Sequence, residues 1–264
     1  MPSLSELIRN FDPAREFDPP PSWLQGRTLY GGLSAALMLQ TVLSAPNTVL
    51  PPLKSALVSF VGPAAGPLRF QSRILRQGKS ATSASADVLA EGKVCVSAAL
   101  LFATPRSSRV RHEHSPRPDV PPPEACEPLQ AGDKAPASLG NFEVRPATTS
   151  LPGAAASYPE VTAWARHVDA SGVDPAVALL ALGDALPPAS LTVLDDLVPV
   201  SSMTWTVDLA RPANRAQSGE WHLLRSTSRH ASDGYSFQAM EAWDRNGALV
   251  LSGSQTVAIF DVPR

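Results

Sequence analysis

Two adjacent glycines, Gly31 and Gly32, precede an apolar run at residues 33–43 that predicts a buried helix. The first turn of a helix has N–H groups without intrahelical partners and a positive dipole end, so it can polarise a carbonyl group. Glycine also lets a bound molecule approach the backbone closely. A tight turn into the helix explains the same pair, and a second helix start at Asp174-Pro175 offers similar amides.

Three polar side chains lie within or beside apolar segments. Gln255 interrupts an apolar final strand, where an unpaired buried amide costs about 1 to 3 kcal/mol, so we expect it to have a partner. Asp184 lies near the end of a predicted helix at residues 176–186, and Ser202 lies in an alternating strand. Solvated side chains are also common at such positions, so residue type alone leaves a structural interpretation open.

Other constellations do not meet the requirements of the chemistry they suggest. Residues 32–36 lack the preceding strand and the second glycine of a nucleophile elbow. His112-Glu113-His114 lies in a proline-rich stretch without further ligands at useful spacing. No glycine-rich phosphate loop follows a strand. We therefore expect no metal and no nucleotide hydrolysis.

Composition limits the class of protein. The 264 residues carry a net charge of -2 and are 44% hydrophobic, which is enough for one large core or two medium ones. The sequence has no Lys/Arg-rich face of the kind that binds nucleic acid. Residues 1–18 lack the apolar stretch of a signal peptide, and no run reaches the roughly 20 apolar residues of a membrane span. We expect a cytoplasmic protein in which Cys95 and Cys126 are reduced.

The prolines divide the chain into three parts. They are densest between residues 105 and 138, where missing N–H donors and a fixed φ exclude regular helices and central strands. We interpret this stretch as a linker between an N-terminal unit at 1–104 and a C-terminal unit at 139–264.

Both units show a nonpolar helix followed by an antiparallel meander. Alternating segments separated by glycine turns predict the strands at residues 56–61, 68–75, 80–89 and 93–102, and at 142–145, 161–168, 202–209, 220–228, 235–243 and 248–260. Residues 92–97 align with residues 247–252 when the two helices are superposed. The sequence therefore predicts a duplicated α+β unit forming a pseudo-dimer.

In order and spacing, these features resemble the acyl-CoA thioesterase II branch of the thioesterase-like superfamily. The first-half features are Trp23, Gly26-Arg27, Tyr30-Gly31-Gly32, Val58-Ser59-Phe60 and residues 76–80. The second-half features are Asp184, Arg211-Pro212, residues 220–224, residues 244–247 and Gln255. The resemblance implies a tandem (double) hot-dog fold, with two antiparallel sheets that each wrap a central apolar helix.

The resemblance also implies hydrolysis of acyl-CoA, a reaction of lipid metabolism. Family members are thought to activate a water with a carboxylate on the second helix, a hydroxyl on the next strand and a Gln on the last strand. By position these are Asp184, Ser202 and Gln255, while the amides at Gly31 and Gly32 would polarise the thioester carbonyl. This chemistry requires no cofactor, and the acyl chain would lie between the two halves.

The chain departs from the family pattern at three positions. Thr204-Trp205 replaces the usual Asp-His pair, and Thr256 replaces the Glu that usually follows the Gln. Two alternatives therefore stay open. One is a hot-dog hydratase or dehydratase, for which His167 on a predicted strand is the candidate, and the other is a non-catalytic acyl-CoA binding protein. A homo-oligomer is plausible on either reading, and the sequence does not fix the acyl length.

Overall fold

The computed structural model describes residues 1–46, 49–130, 132, 135–210 and 219–261. Within these ranges the α-helices are α1 (Leu4–Asn10), α2 (Gly31–Leu43) and α3 (Pro175–Gly183). The strands are β1 (Leu24–Gln25), β2 (Thr28–Leu29), β3 (Leu53–Phe60), β4 (Leu68–Gln77), β5 (Ala81–Ala90), β6 (Lys93–Ala103), β7 (Phe142–Pro146), β8 (Glu160–His167), β9 (Val200–Leu209), β10 (His222–Ser232), β11 (Tyr235–Asp244) and β12 (Leu249–Ile259). None of the described helices is long and apolar enough to cross a lipid bilayer.

The two nonpolar helices, α2 and α3, lie in the core and pack against each other. Every residue of α3 from Ala176 to Gly183 is buried, which explains why the helix has no polar face. Asp174 caps it by accepting hydrogen bonds from the N–H groups of Ala176 and Val177 at 2.8 and 3.3 Å. The helix ends at Gly183, three residues before the predicted end, and Asp184 is its C-cap residue.

Ten of the twelve strands of the described residues form one continuous sheet, with β1 and β2 paired separately, and the prediction of two separate sheets that each wrap a helix needs correction. The order is β4-β5-β6-β3-β9-β12-β11-β10-β8-β7, and every neighbouring pair is antiparallel. Pairing of β3 with β9, from Ser55 opposite Asp208 to Ser59 opposite Thr204, joins the two halves. Each half would otherwise leave an edge of unpaired N–H and C=O groups, and each edge satisfies the other.

The two halves repeat the same strand order outward from this junction. Four strands follow α2 in the order β3, β6, β5, β4, and four follow α3 in the order β9, β12, β11, β10. The second half continues with β8 and β7. In the first half a single bridge between Phe17 and Leu68 lies in the place that β8 takes beside β10.

The described part of the predicted linker at 105–138 packs against the outer face of the second half. Its carbonyl groups at Ser115 and Pro121 accept hydrogen bonds from the indole N–H groups of Trp243 and Trp164, each at 2.8 Å. Cys126 joins a small apolar cluster with these two tryptophans, Trp221 and Leu223. Cys126 and Cys95 are both buried and free. The division at 1–104, 105–138 and 139–264 stays a prediction.

Candidate active site

A cavity of about 380 Å³ opens where the two halves meet. It is lined by β1 and β2, the first turn of α2, the end of β3 with the loop after it, one residue of β6, the segment after α3, the start of β9 and one residue of β12. Asp184, Ser202, Gln255 and Gly31, which the sequence predicted as site residues, all line it. Residues more than 200 positions apart therefore share one cavity.

The Asp184 carboxylate is the chemically distinctive group of this cavity. Its position as C-cap of α3 directs it toward the first turn of α2. The side-chain N–H of Gln255 donates to Oδ1 of Asp184 at 2.6 Å, and the backbone N–H of Gly32 also donates to the carboxylate. The other oxygen, Oδ2, lies so close to Gly31 that a Cβ there would be only 2.7 Å away.

Burial raises the pKa of Asp184 from 3.8 to about 7. The hydrogen bonds from Gln255 and Gly32 oppose this shift because they stabilise the charged form. Tyr30, a fully enclosed neighbour, donates its hydroxyl to the carbonyl of Ala181 at 3.0 Å. Burial and the nearby Asp184 raise the pKa of Tyr30 well above 10, so its phenol is neutral. A carboxylate with a pKa near neutrality is suited to proton transfer at pH 7.

Gln255 has the partner that its buried position requires. It is only 4% exposed and lies directly opposite Gln238 on β11. Its Oε1 accepts a hydrogen bond from Nε2 of Gln238 at 2.8 Å while its own Nε2 donates to Asp184. Gln238 was not singled out from the sequence, although strand alternation places it on the same inward face as Ser236 and Met240.

A β-bulge at Met203 sets the face of β9 on which Ser202 lies, and both residues line the cavity. Thr204 pairs with Thr256 and Ser202 pairs with Val257, so Met203 is an extra residue in β9. Val257 is fully buried, and residues directly opposite each other point to the same face. Regular pairing would have directed Met203 inward instead. Ser202 and Asp184 line the same cavity, and the role of Ser202 there stays a prediction.

Trp205, which departs from the family pattern, is a core residue. Its side chain is fully buried and packs against Gly183, where an added Cβ would lie 3.3 Å from Cζ2 of the indole. It therefore fixes the end of α3 directly before Asp184.

The two glycines of α2 have different neighbours. Gly31 lines the cavity, whereas the N–H of Gly32 is bonded to the Asp184 carboxylate. At the start of α3 the Asp174 side chain occupies the amides of Ala176 and Val177, so these do not face a substrate. Ser34 also lines the cavity, but its hydroxyl donates to the carbonyl of Tyr30 at 3.2 Å.

His167, the candidate for the hydratase alternative, lies outside this cavity. Its Nε2–H donates to the carbonyl of Ala178 at 2.8 Å, and its ring packs beside Phe142. Burial lowers the pKa of His167 from 6.5 to about 4. Within the described ranges, no three His, Cys, Asp or Glu side chains are grouped as a metal site would need.

We expect His167 to destabilise the protein in acid. Its folded-state pKa is lowered, so its contribution to stability is present above pH 6.5 and is lost as the pH falls toward 4, by at most about 3 kcal/mol. In urea unfolding, the free energy of unfolding should differ less between pH 7 and pH 4 for His167→Gln than for the wild type. The exposed His230 provides the control: His230→Gln should keep the wild-type difference, and equal behaviour of the two variants would contradict the assignment.

Comparison with solved structures assigns the architecture to the hot-dog fold. A hot-dog protein of unknown function from Alicyclobacillus acidocaldarius is 25% identical, with a TM-score of 0.81 over 93% of this chain and 92% of that one. An acyl-CoA thioesterase II from Mycobacterium marinum is 20% identical, with a TM-score of 0.72 over 99% of each chain. The dehydratase domain of PpsC from Mycobacterium tuberculosis, in complex with C12:1-CoA, is 12% identical, with a TM-score of 0.53 over 93% and 92%.

Two family models then identify the family. The model of the acyl-CoA thioesterase N-terminal domain matches residues 19–103, and that of the C-terminal domain matches residues 123–259. The chain belongs to the acyl-CoA thioesterase family. No curated protein sequence matches it significantly. Arg211-Pro212, one of the features that resemble the family, lies outside the described residues.

Proposed function

We propose that this protein hydrolyses acyl-CoA thioesters to a free acid and CoA, using a water molecule activated by Asp184. Membership of the thioesterase family supports thioester hydrolysis in general. The observation that carries the mechanism is the Asp184 carboxylate, which lines the cavity between the halves and has a pKa of about 7. Ionised Asp184 is thus available as a general base near neutral pH.

In the proposed reaction, Asp184 takes a proton from water while the water oxygen attacks the thioester carbonyl carbon. The backbone N–H of Gly31, at the start of α2, polarises the carbonyl oxygen as negative charge develops there. Ser202 and Gln255 orient the water through hydrogen bonds. The C–S bond then breaks, and the leaving sulfur takes the proton from Asp184, which gives CoA-SH and regenerates the carboxylate.

The acyl chain is proposed to lie in the cavity between the halves. Apolar side chains from several elements line it, among them Leu29, Phe60, Val96 and Leu186. Such apolar side chains suit a hydrocarbon chain, and the thioester would react at Asp184, between the start of α2 and the end of α3. A cytoplasmic location and a homo-oligomeric state stay predictions.

Hydratase or dehydratase chemistry is less well supported by the geometry. Proton movement next to a thioester carbonyl by a His–carboxylate pair would need both groups in one cavity, and His167 is bonded to α3 elsewhere. Loss of enoyl-CoA absorbance without thiol release would nevertheless favour it. Saturable binding of acyl-CoA without any turnover would favour the binding-protein alternative.

A hydrolysis screen tests the proposal. Purified protein should release CoA thiol from acyl-CoA substrates, followed with a chromogenic thiol reagent, and the screen should include short, medium, long and aromatic acyl groups. A release rate above the spontaneous rate for at least one acyl class supports the proposal. The absence of release from every class would contradict it.

We expect the rate of hydrolysis to depend on pH through Asp184. Because only the carboxylate form can accept a proton, kcat/KM should fall about tenfold per pH unit below the pKa of about 7 and level off above it. Initial rates between pH 5 and 9, with CoA quantified by chromatography, measure the profile. Activity recovered on return to pH 7 controls for unfolding, and a flat profile would exclude a base with this pKa.

A further inference from the structure

The amide of Gln255 can be placed in two orientations that have nearly the same shape, and only one of them presents a donor to Asp184. In that orientation Nε2 faces the carboxylate and Oε1 faces away. In the reverse orientation an amide oxygen would face the carboxylate, which is repulsive. Gln255 is buried, so water does not hydrogen-bond freely to its amide. Neighbouring protein groups must therefore select the orientation.

A chain of three hydrogen bonds supplies this selection. The backbone N–H of Ala189 donates to Oε1 of Gln238 at 3.0 Å, and Nε2 of Gln238 donates to Oε1 of Gln255 at 2.8 Å. Nε2 of Gln255 then donates to Oδ1 of Asp184 at 2.6 Å. A backbone N–H can only donate, so the direction of the first bond fixes the direction of the other two.

The chain begins and ends on the same segment of the protein. Ala189 follows Pro187 and Pro188, which have no N–H, and it begins the 3-10 turn Ala189–Val193 just after Asp184. Gln238 is 2% exposed and directly opposite Gln255 in the sheet. The two strands β11 and β12 thus hold the segment after α3 at two points, the carboxylate and the Ala189 amide.

We propose that Gln238 is a positioning residue, which holds the amide of Gln255 with its NH2 group toward Asp184. This inference rests on the proposed function only for its catalytic consequence. Gln255 uses its oxygen for Gln238 and one N–H for Asp184, so its second N–H is the group left for a ligand in the cavity. Gln255 therefore presents its N–H groups, and not its amide oxygen, to the carboxylate and the reacting groups.

Two variants separate this role from a general structural one. Gln238→Met removes both hydrogen bonds but keeps an unbranched side chain. Gln255 is then free to turn, and the pKa of Asp184 should rise by about one unit, because a donated hydrogen bond stabilises the charged carboxylate. Gln238→Glu should restore most of the wild-type value, since a buried Glu in its acid form has one acceptor oxygen and one O–H donor.

Ser236→Ala is the matched control. Ser236 lies on the inward face of β11 and shares a buried hydrogen bond with Ser228 at 2.9 Å, outside the chain that reaches Asp184. Ser236→Ala should lower the free energy of unfolding and leave the pKa of Asp184 unchanged. Tyr30 is the titratable group that interacts with Asp184, and it is present and neutral in all these variants.

The measurement is an NMR titration of the side-chain carboxyl carbon of Asp184 in the intact protein, and it requires no substrate. The resonance is assigned by its loss in Asp184→Asn. In the wild type, the side-chain NH2 protons of Gln255 should shift with the same midpoint, a result that does not depend on whether any Gln238 variant folds. A wild-type titration that leaves these protons unmoved, or Gln238→Met with the wild-type midpoint, would overturn the proposal.

Activity assays keep the two proposals separate. The acid limb of kcat/KM should move with the NMR midpoint, toward higher pH in Gln238→Met and back in Gln238→Glu. If the wild type releases no thiol but the NMR midpoint moves as expected, the positioning role stands and thioester hydrolysis falls. If hydrolysis is present but neither midpoint moves, hydrolysis stands and the positioning role falls.

Discussion

Replacing Asp184 by Asn should lower kcat for acyl-CoA hydrolysis about a thousandfold and leave KM nearly unchanged. A general base contributes on the order of 100- to 10,000-fold to such a reaction, and an amide cannot accept the proton. Asn has almost the shape of Asp, and its oxygen can still accept the hydrogen bond from Gln255. Single-turnover and steady-state rates with the best acyl-CoA of the screen measure the loss.

The control for this prediction is the same substitution at an exposed site. Asp195 is exposed and does not line the cavity, so Asp195→Asn should retain wild-type kinetics. The remaining activity of Asp184→Asn should also show no fall in rate below pH 7, because the carboxyl group proposed to cause that fall is absent. Full activity of Asp184→Asn would refute its role as the base, and a loss expressed only in KM would indicate a binding role.

Adding one methyl group at Gly31 should have the second largest effect, about a hundredfold lower kcat/KM. A Cβ at this position would lie 2.7 Å from Oδ2 of Asp184 and 3.1 Å from Cζ of Phe60, which is too close for either contact. The carboxylate must therefore move away from the first turn of α2. A displacement of about 1 Å of a catalytic group can cost on the order of 100-fold in rate.

Gly62→Ala is the matched control for Gly31→Ala. Gly62 lines the same cavity, but an added Cβ there meets no protein atom within 4 Å, so Asp184 should keep its position, kcat should stay close to wild type and any change should be in KM. Combination with Asp184→Asn adds a further test. If Gly31→Ala acts by moving the carboxylate, it should have little extra effect once that carboxylate is absent. Fully multiplicative losses would contradict this explanation.

Much of the fold is predictable from local sequence. The helix α2 and most of α3 are apolar all round, so the sequence predicts that they are buried, and alternation with glycine turns predicts the meanders that follow. The prolines of residues 105–138 exclude regular strands and α-helices, and the described part of that stretch has neither. These features depend on near neighbours along the chain, which is why the sequence predicts them.

Placement of the candidate site is partly predictable. The family resemblance named Asp184, Ser202, Gln255 and Gly31, and all four line one cavity. Gln238 was missed because a Gln in an alternating strand is informative only when the residue opposite it is known. The bulge at Met203, which directs Ser202 inward, has no clear local signal either.

The sequence by itself determined the two nonpolar helices, the strands that follow them and the duplicated pattern, but not α1, β1 or β2. The tertiary structure alone decided that β3 and β9 join the halves into one sheet, that α3 ends at Gly183, and that the amide of Gln255 faces Asp184 with its donor. The physical reason is that each of these depends on hydrogen bonds or packing between groups far apart in the chain, such as Trp205 against Gly183 at the end of α3. Local preferences restrict the conformation of each segment, but a backbone edge or a buried amide finds its partner only when distant segments pack together.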